Sequence, residues 1–359
     1  MASFAVTAER LVIHAHPDPE VKRLELAQVG GYRAVVPKGK YRTGDWAIYI
    51  PEQAIVPEGL LAELGLTGKL AGPTKNRVKA MWFLGELSQG LVCSPRLLSE
   101  VDLAAANESN VDFSARLGIS KWVPEVPAYL SGQAVSAVQL QRWIEIEDIK
   151  RYPNIFTPGE PVIANEKIHG TTLCVTWVTE SAELFVSSKG LAAQRLAFHE
   201  SQTNVYWRAA RNFDIGGLLR DLVGSKNISR IALYAEVYGT GVQDLHYGAM
   251  DENLPGLAVF DIAVDEANES YWLTQAQVRE ICVCNRLKYA PVLYEGGYDY
   301  QGLAALADGH TCLGNGIHLR EGLVVRAVPE RHSKVVNGRA IAKFFGSGYL
   351  TRSGGTEYE

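Results

Sequence analysis

Gly159-Glu160-Pro161-Val162-Ile163-Ala164-Asn165-Glu166-Lys167-Ile168-His169-Gly170-Thr171-Thr172-Leu173-Cys174-Val175-Thr176-Trp177-Val178 is the stretch from which the fold can be read. Gly159 to Ala164 reads as a turn into a strand, and Thr171 to Val178 reads as the next strand. Lys167 therefore sits at the junction of two strands, placed to reach a ligand. Gly170 removes a side chain where something must come close. Taken alone, a lysine beside glycine is an ordinary hairpin lysine on the surface, and only a constellation of other residues overturns that reading.

The chemistry of a nucleophilic lysine says what the constellation must contain. Only about one amine in 2,500 is neutral at pH 7 when its pKa is near 10.4. A shift to ~8 raises that fraction over a hundredfold, a differential stabilisation of ~3 kcal/mol. Neighbouring cations, including a divalent metal held by carboxylates, produce such shifts. Two segments supply carboxylates within apolar strands: Glu236 in Ala232-Leu233-Tyr234-Ala235-Glu236-Val237-Tyr238-Gly239, and Glu321 in the run from Gly316 to Arg326. An unpaired charge in such a strand is costly, so each belongs either to a structural ion pair or to a site.

Outward from this region, strands are expected around 161–164, 172–178, 184–187, 231–237, 257–263 and 318–327. A helix is expected where Thr274 and Gln277 form a capping box ahead of Val278, Ile281 and Cys282. The front of the chain, from Leu11 to about Pro95, is a series of short β-like runs broken by Pro37-Lys38-Gly39 and Thr43-Gly44-Asp45, which suggests a small closed barrel with a short helix within 58–66. Residues 105–135 lack a period and read as a connector, with a domain boundary near 125.

With 359 residues the chain suits two domains. Its 47% hydrophobic and 21% charged content is that of a globular protein. A net charge of −5 gives no global footprint for nucleic acid, so any such contact must come from local basic patches. Lys38, Lys40 and Arg42, then Lys75, Arg77 and Lys79, are the local basic patches at the front, with Lys38, Lys40, Arg77 and Lys79 the candidates for nucleic-acid contact. Five scattered cysteines argue for a reducing, cytoplasmic setting over a disulfide framework. No apolar stretch is long enough for a bilayer, so no membrane partner is expected.

Several common chemistries are missing. There is no GxxxxGK[ST] phosphate loop, no HExxH and no GxSxG. His14-Ala15-His16 lacks a third metal ligand. Cys282-Val283-Cys284 lies within the expected helix, where residues two apart do not face each other, and core packing is the better reading.

The segments resemble, in order, the nucleotidyltransferase motifs of covalent ligases and mRNA-capping enzymes. Lys167-Ile168-His169-Gly170 resembles the lysine motif and Ser187-Ser188-Lys189-Gly190 the short motif after it. Glu236-Val237-Tyr238-Gly239 is similar to the third motif, Leu257-Ala258-Val259-Phe260-Asp261-Ile262 to the strand whose aromatic stacks on a purine, and Glu321-Gly322-Leu323-Val324-Val325-Arg326 to the fourth. At the front, His16-Pro17-Asp18, Arg23-Leu24-Glu25-Leu26-Ala27, Pro37-Lys38-Gly39, Tyr49-Ile50-Pro51 and Leu87-Ser88-Gln89-Gly90-Leu91 resemble the leading OB domain of one family of ATP-dependent RNA ligases. DNA ligases and capping enzymes carry theirs after the core.

The resemblance implies an α+β chain with an N-terminal OB-type β-barrel over residues 1–125 and a mixed α/β nucleotidyltransferase domain with antiparallel sheets over 126–359. It implies sealing of a 3′-OH to a 5′-phosphate of RNA by a monomer, using ATP and Mg²⁺ or Mn²⁺. Lys167 would be the nucleophile, with Glu166 beside the adenine and Ile168 and Gly170 also at the nucleotide. Lys189 and Glu236 would hold ribose and phosphate, Phe260 would stack on the base, Glu321 with Glu236 would support the metal, and Lys343 would contact the α-phosphate. The sequence departs from the superfamily twice. His169 stands where Asp is usual, a variant seen among RNA ligases. The last motif normally has two lysines two apart; here Lys343 is one, Ile341 stands at the other, and Arg339 or Lys334 could substitute. A DNA ligase, a GTP-using capping enzyme, or an OB-led RNA-binding protein with a degenerate core are the rival readings.

Overall fold

The computed structural model of the chain describes residues 4–122, 134–267 and 269–350. These fall into two compact units: a front unit up to residue 122 that also includes Ile149–Pro153, and a rear unit of 134–148 and the residues from Asn154 on. The boundary expected near 125 lies outside the described residues. No described helix is long and apolar enough to cross a membrane.

The rear unit is built on two five-stranded sheets. The first runs, in spatial order, Glu147–Asp148, Ile341–Phe345, Gly322–Ala327, Pro161–Lys167, Val292–Gly297, and is antiparallel except for its first pair. The second runs Glu183–Ser188, Thr171–Val178, Ile228–Tyr238, Gly256–Glu266, Glu269–Trp272, antiparallel throughout. The chain passes from the first sheet to the second through residues 168–170, so the lysine loop is the crossing point.

Alternation decides how the second sheet packs. Leu173, Val175, Leu233, Ala235, Val237, Leu257 and Val259 bury one face against the helices Val205–Asn212, Ile215–Val223 and Gln275–Cys284. Cys174, Ala232, Tyr234 and Ala263 bury the other face with Leu140, Trp143 and Phe260. With both faces covered, the strands read as near-continuous apolar runs. The capping box of Thr274 and Gln277 starts the last of these helices, and Cys282 is in the core while Cys284 is exposed.

The strand expected over 318–327 begins only at Gly322. Gly314–Gly316 forms a tight turn, and the chain after it bonds to the segment before it, Thr311 N to His318 O and Arg320 N to Gly309 O. Glu321 thus stands just ahead of the sheet, not within it.

A charge cluster joins the two sheets. Asp261 is fully buried, at 0% exposure. It lies 2.7 Å from Arg339 and 3.8 Å from Arg326. Arg326 also donates to the carbonyl of Phe260 at 2.9 Å. Removing one partner from such a buried cluster leaves uncompensated charge, so Asp261→Ala is expected to cost about 3–5 kcal/mol, read as a lowered midpoint in urea denaturation.

The front unit has two three-stranded antiparallel sheets, Thr7–Arg10 with Trp46–Ile50 and Leu91–Cys93, and Val12–Ala15 with Leu24–Val29 and Tyr32–Pro37. The hairpin Met81–Phe83 with Glu86–Ser88 stands beside them. Among the described residues these ladders do not join into one closed barrel. The short helix is Glu58–Leu64, stopped by Gly65 in the left-handed region at φ 68°. The connector reading fails for residues up to 121. Leu103–Glu108, capped by Asp102, and Ser114–Leu117 are helices too short to show a period, and Ala106, Phe113, Leu117 and Ile119 enter the front core.

Candidate active site

Lys167 ends its strand with its ammonium 2.9 Å from Glu321 Oε1. Its side chain keeps 24% exposure, so a ligand can reach it, while that of Glu321 keeps 6%. Burial pushes the ammonium's pKa down, but Glu321 and then Glu236 more than offset this, and the net shift is upward. Glu236, from the second sheet, is pushed up to about 7 by burial, with Lys167 acting the other way. Thr172 donates to it at 3.1 Å. The ligand-free site therefore holds Lys167 as a cation between two carboxylates, the opposite of the lowered pKa that a nucleophile requires.

Two further lysines converge here. Burial lowers the pKa of Lys343, and the nearby charges of Lys189 and Lys167 lower it further. Lys189 follows the capping Ser188 at the head of a short helix, and its ammonium is 3.1 Å from Glu145. Lys167, Lys189, Glu236, Glu321 and Lys343 thus come together at the crossing between the sheets.

The donor set suits a hard divalent cation. Glu321 Oε2 is buried without a hydrogen-bond partner, and both candidate ligands are carboxylates. No described group of three or more metal-ligating side chains exists. Two carboxylates, completed by water and phosphate oxygens, match how Mg²⁺-like ions bind at phosphate-transfer sites.

Strand pairing fixes which residues of the last motif stand beside Lys167. Lys167 lies opposite Gly322, which lies opposite Phe345; Asn165, Val324 and Lys343 form the next row on that face, and Ile163, Arg326 and Ile341 the one after. Directly opposed residues share a face, as do residues two apart. The row of Lys167 therefore receives Phe345, whose ring centroid is 5.6 Å from the Lys167 ammonium and 5.4 Å from that of Lys343. Ile341 lies two rows away and is buried. Phe345 is thus the last-motif residue in the row of Lys167, and Ile341, where a second lysine is expected, lies in the core away from that row. Arg339 is no substitute, being paired with Asp261 and with Glu330 at its guanidinium.

The same parity turns Glu166 away from Lys167. Its Oε2 accepts from Cys312 N at 2.8 Å, and its Oε1 is buried without a hydrogen-bond partner. Asn165 is the residue on the face of Lys167. Its amide donates to Ala290 O at 2.9 Å, leaving Oδ1 buried and unpartnered. Period-two alternation could have found it from sequence. The Ile168 side chain enters an apolar cluster with Tyr238, Leu245, Tyr247 and Tyr349. Gly170 admits protein backbone: a Cβ there would meet the Val237 carbonyl oxygen at 2.2 Å. Gly170→Ala would push the loop that follows Lys167 away from the strand carrying Glu236, so loss of activity together with a lowered Tm is expected.

His169 is engaged on both sides of its ring, with Asp244 at 2.8 Å and Tyr349 at 2.9 Å, and its backbone N–H donates to Tyr247 at 2.8 Å. This favours a structural part in fixing the lysine loop. Phe260 sits at a register shift in its strand on the face of Glu236, edge-on to Trp143 at 5.1 Å. Trp143, whose ring also lies 5.9 Å from the Lys189 ammonium, escaped the sequence reading because it stands in no motif. In the front unit Lys38, Lys40 and Lys79 are exposed, whereas Arg77 packs its guanidinium 4.2 Å from the Trp122 ring.

Comparison with known proteins places the fold. Structures of a Naegleria gruberi RNA ligase share the fold over 97% of this chain and 98% of theirs: a ligand-free variant at 22% identity and TM-score 0.75, a variant with AMP and manganese at 20% and 0.75, and a variant with ATP and manganese at 21% and 0.73. No curated protein matches. The RNA ligase family model matches residues 160–345. Since that match covers just over half of the chain and takes in the strands that carry Lys167, Glu236, Phe260 and Lys343, the chain belongs to the RNA ligase family.

Proposed function

We propose that the chain seals a 3′-OH to a 5′-phosphate of RNA through a lysyl-AMP intermediate, using ATP. The observation that carries this reading is Lys167, set within 2.9 Å of Glu321 and flanked by Glu236. The Naegleria ligase seen with ATP and manganese supports the choice of nucleotide and of cation class.

In the first step the Lys167 amine attacks the α-phosphorus of ATP. A nitrogen–phosphorus bond forms, the bond to pyrophosphate breaks, and the ammonium proton passes to solvent. A 5′-phosphate oxygen of the RNA then displaces Lys167 from the AMP phosphorus, and finally the 3′-OH attacks the RNA phosphorus and expels AMP. Glu321 and Glu236 would hold the divalent cation. When bound, Mg²⁺ or Mn²⁺ supplies positive charge that favours the neutral amine and offsets charge on the transferring phosphate. Lys189 and Lys343 present charge to the ribose and phosphate oxygens without rearrangement, the kind of preorganisation that phosphoryl transfer exploits.

Phe260 offers the base an aromatic face. Asn165, on the face of Lys167 and with its carbonyl oxygen unpartnered, would accept from the amino group of adenine, beside which the resemblance set Glu166. Guanine carries an oxygen at that position, so Asn165 favours ATP over GTP. Asn165→Ala is expected to weaken ATP use about tenfold and to narrow the preference over GTP, measured by competition during protein labelling.

The front unit is read as an OB-type nucleic-acid module over residues 1–125, ahead of an adenylation domain over 126–359. Exposed Lys38, Lys40 and Lys79 support that reading, with Arg77 on the same unit. The chain is read as a monomer, and its few, scattered cysteines support a cytoplasmic setting. The test is sealing of 5′-phosphorylated RNA, as single strand and as nicked duplex, against DNA of the same sequence. RNA-dependent sealing with ATP is expected. Labelled protein that never passes AMP to RNA would refute the reading.

A further inference from the structure

The hairpin Met81–Phe83 with Glu86–Ser88 exposes four apolar residues in succession, at 37% for Met81, 52% for Trp82, 41% for Phe83 and 65% for Leu84. Successive strand residues point to opposite faces, so Trp82 and Phe83 present aromatic rings on both sides. The turn residues Leu84 and Gly85 have φ of 49° and 90°, the positive values that a two-residue turn requires. Asparagine or glycine serves there without strain, yet Leu84 holds that backbone with its side chain in solvent. Nothing in folding calls for Met-Trp-Phe-Leu on an uncovered two-stranded ribbon, since a core gains nothing from residues it does not bury.

The charge around this ribbon selects its partner. Residues 67–88 contain Lys69, Lys75, Arg77 and Lys79 against the single acid Glu86, in a chain whose net charge is −5. Glu86 is itself 3.3 Å from Arg33. Lys75 and Lys79 are exposed in the segment leading into the hairpin. Aromatic faces interleaved with cations fit unpaired bases on a phosphate backbone, because every base has a face to stack and every phosphate a charge to meet.

We propose that the Trp82–Phe83 hairpin is a stacking platform for unpaired nucleotides of the RNA substrate, with Lys75 and Lys79 tracking its phosphates. This rests on the RNA-ligase reading for the identity of the substrate. The platform gives the enzyme a grip on single-stranded RNA near an end, independent of sequence.

The test uses the full-length protein and a fluorescent single-stranded RNA without ATP, with labelling of the protein by α-labelled ATP measured separately without RNA. Trp82→Leu and Phe83→Leu are each expected to weaken RNA binding about tenfold, as lost base stacking does. Trp82→Phe and Phe83→Tyr should retain it, and Lys75→Ala with Lys79→Ala should flatten its dependence on salt. Labelling of all these variants should equal that of the parent. RNA binding unchanged in the leucine variants would overturn the proposal, as would equal loss in labelling, which would tie the hairpin to the fold or to the nucleotide step. Binding to vesicles of anionic phospholipid or self-association that the leucine variants abolish, with RNA binding intact, would assign the ribbon to a lipid or protein partner and would also overturn it. A protein that binds RNA through the hairpin yet takes no label from ATP would instead refute the ligase mechanism alone.

Discussion

Replacement of Lys167 by alanine is expected to reduce labelling of the protein by α-labelled ATP to background, a loss of at least about 10,000-fold, as removal of a covalent nucleophile does elsewhere. Neither neighbouring lysine can take over. Lys343 lies one row further along the sheet face, and Lys189 belongs to the other sheet's margin and is paired with Glu145. Neither makes the close ion pair with Glu321 that Lys167 makes. The fold should survive, since the Lys167 side chain is partly exposed and ends its strand at the sheet margin. An unchanged Tm beside lost labelling separates chemistry from folding. Sealing of RNA that already carries a 5′-linked AMP should persist in this variant, because the last step does not use the amine.

Glu321→Gln is expected to lower labelling about a hundredfold or more, and the direction of this effect is diagnostic. In the ligand-free site Glu321 holds Lys167 as an ammonium. If that ion pair were its whole role, the glutamine variant would release the amine and label faster. If Glu321 holds the cation that offsets phosphate charge, the variant slows, and raising Mn²⁺ restores part of the rate. Restoration by metal without any acceleration at low metal is the expected outcome. Faster labelling would assign Glu321 to the ion pair alone.

The parts of the site that sequence made legible are those tied to strand pattern. Lys167 at a junction and Glu236 within an apolar strand follow from strand pattern, Phe260 stood out only through the order of the family's motifs, and the structure brings Lys167 and Glu236 together across two sheets. What could not be read depended on register between distant strands. Phe345 takes the row of Lys167 only because Gly322 pairs with both, a fact no local pattern around Ile341 contains. Glu166 entered through the family resemblance, whereas strand alternation puts Asn165 on the face of Lys167. The Asp261, Arg326 and Arg339 cluster, which fixes the strand beneath Phe260, joins residues up to 78 positions apart and has no motif. At the front, turn signals were legible, while the short helices at 103–108 and 114–117 were not, because one or two turns cannot show a helical period.

Phe345 also bears on how the site treats phosphate. With an aromatic ring in the row of Lys167 and no second lysine at Ile341, less positive charge surrounds the transferring group, and the ring lies within reach of both ammonium groups. Phe345→Lys is expected to raise affinity for ATP severalfold and to slow release of pyrophosphate, measured by single-turnover labelling.

The measurement that bears most directly on the mechanism is peptide mapping of the protein after reaction with ATP and Mn²⁺ and quenching. AMP should be found as a phosphoramidate on the peptide containing Lys167, and it should disappear on addition of 5′-phosphorylated RNA as AMP appears on the RNA end. AMP on any other residue, or on Lys167 but never transferred to RNA, would contradict it.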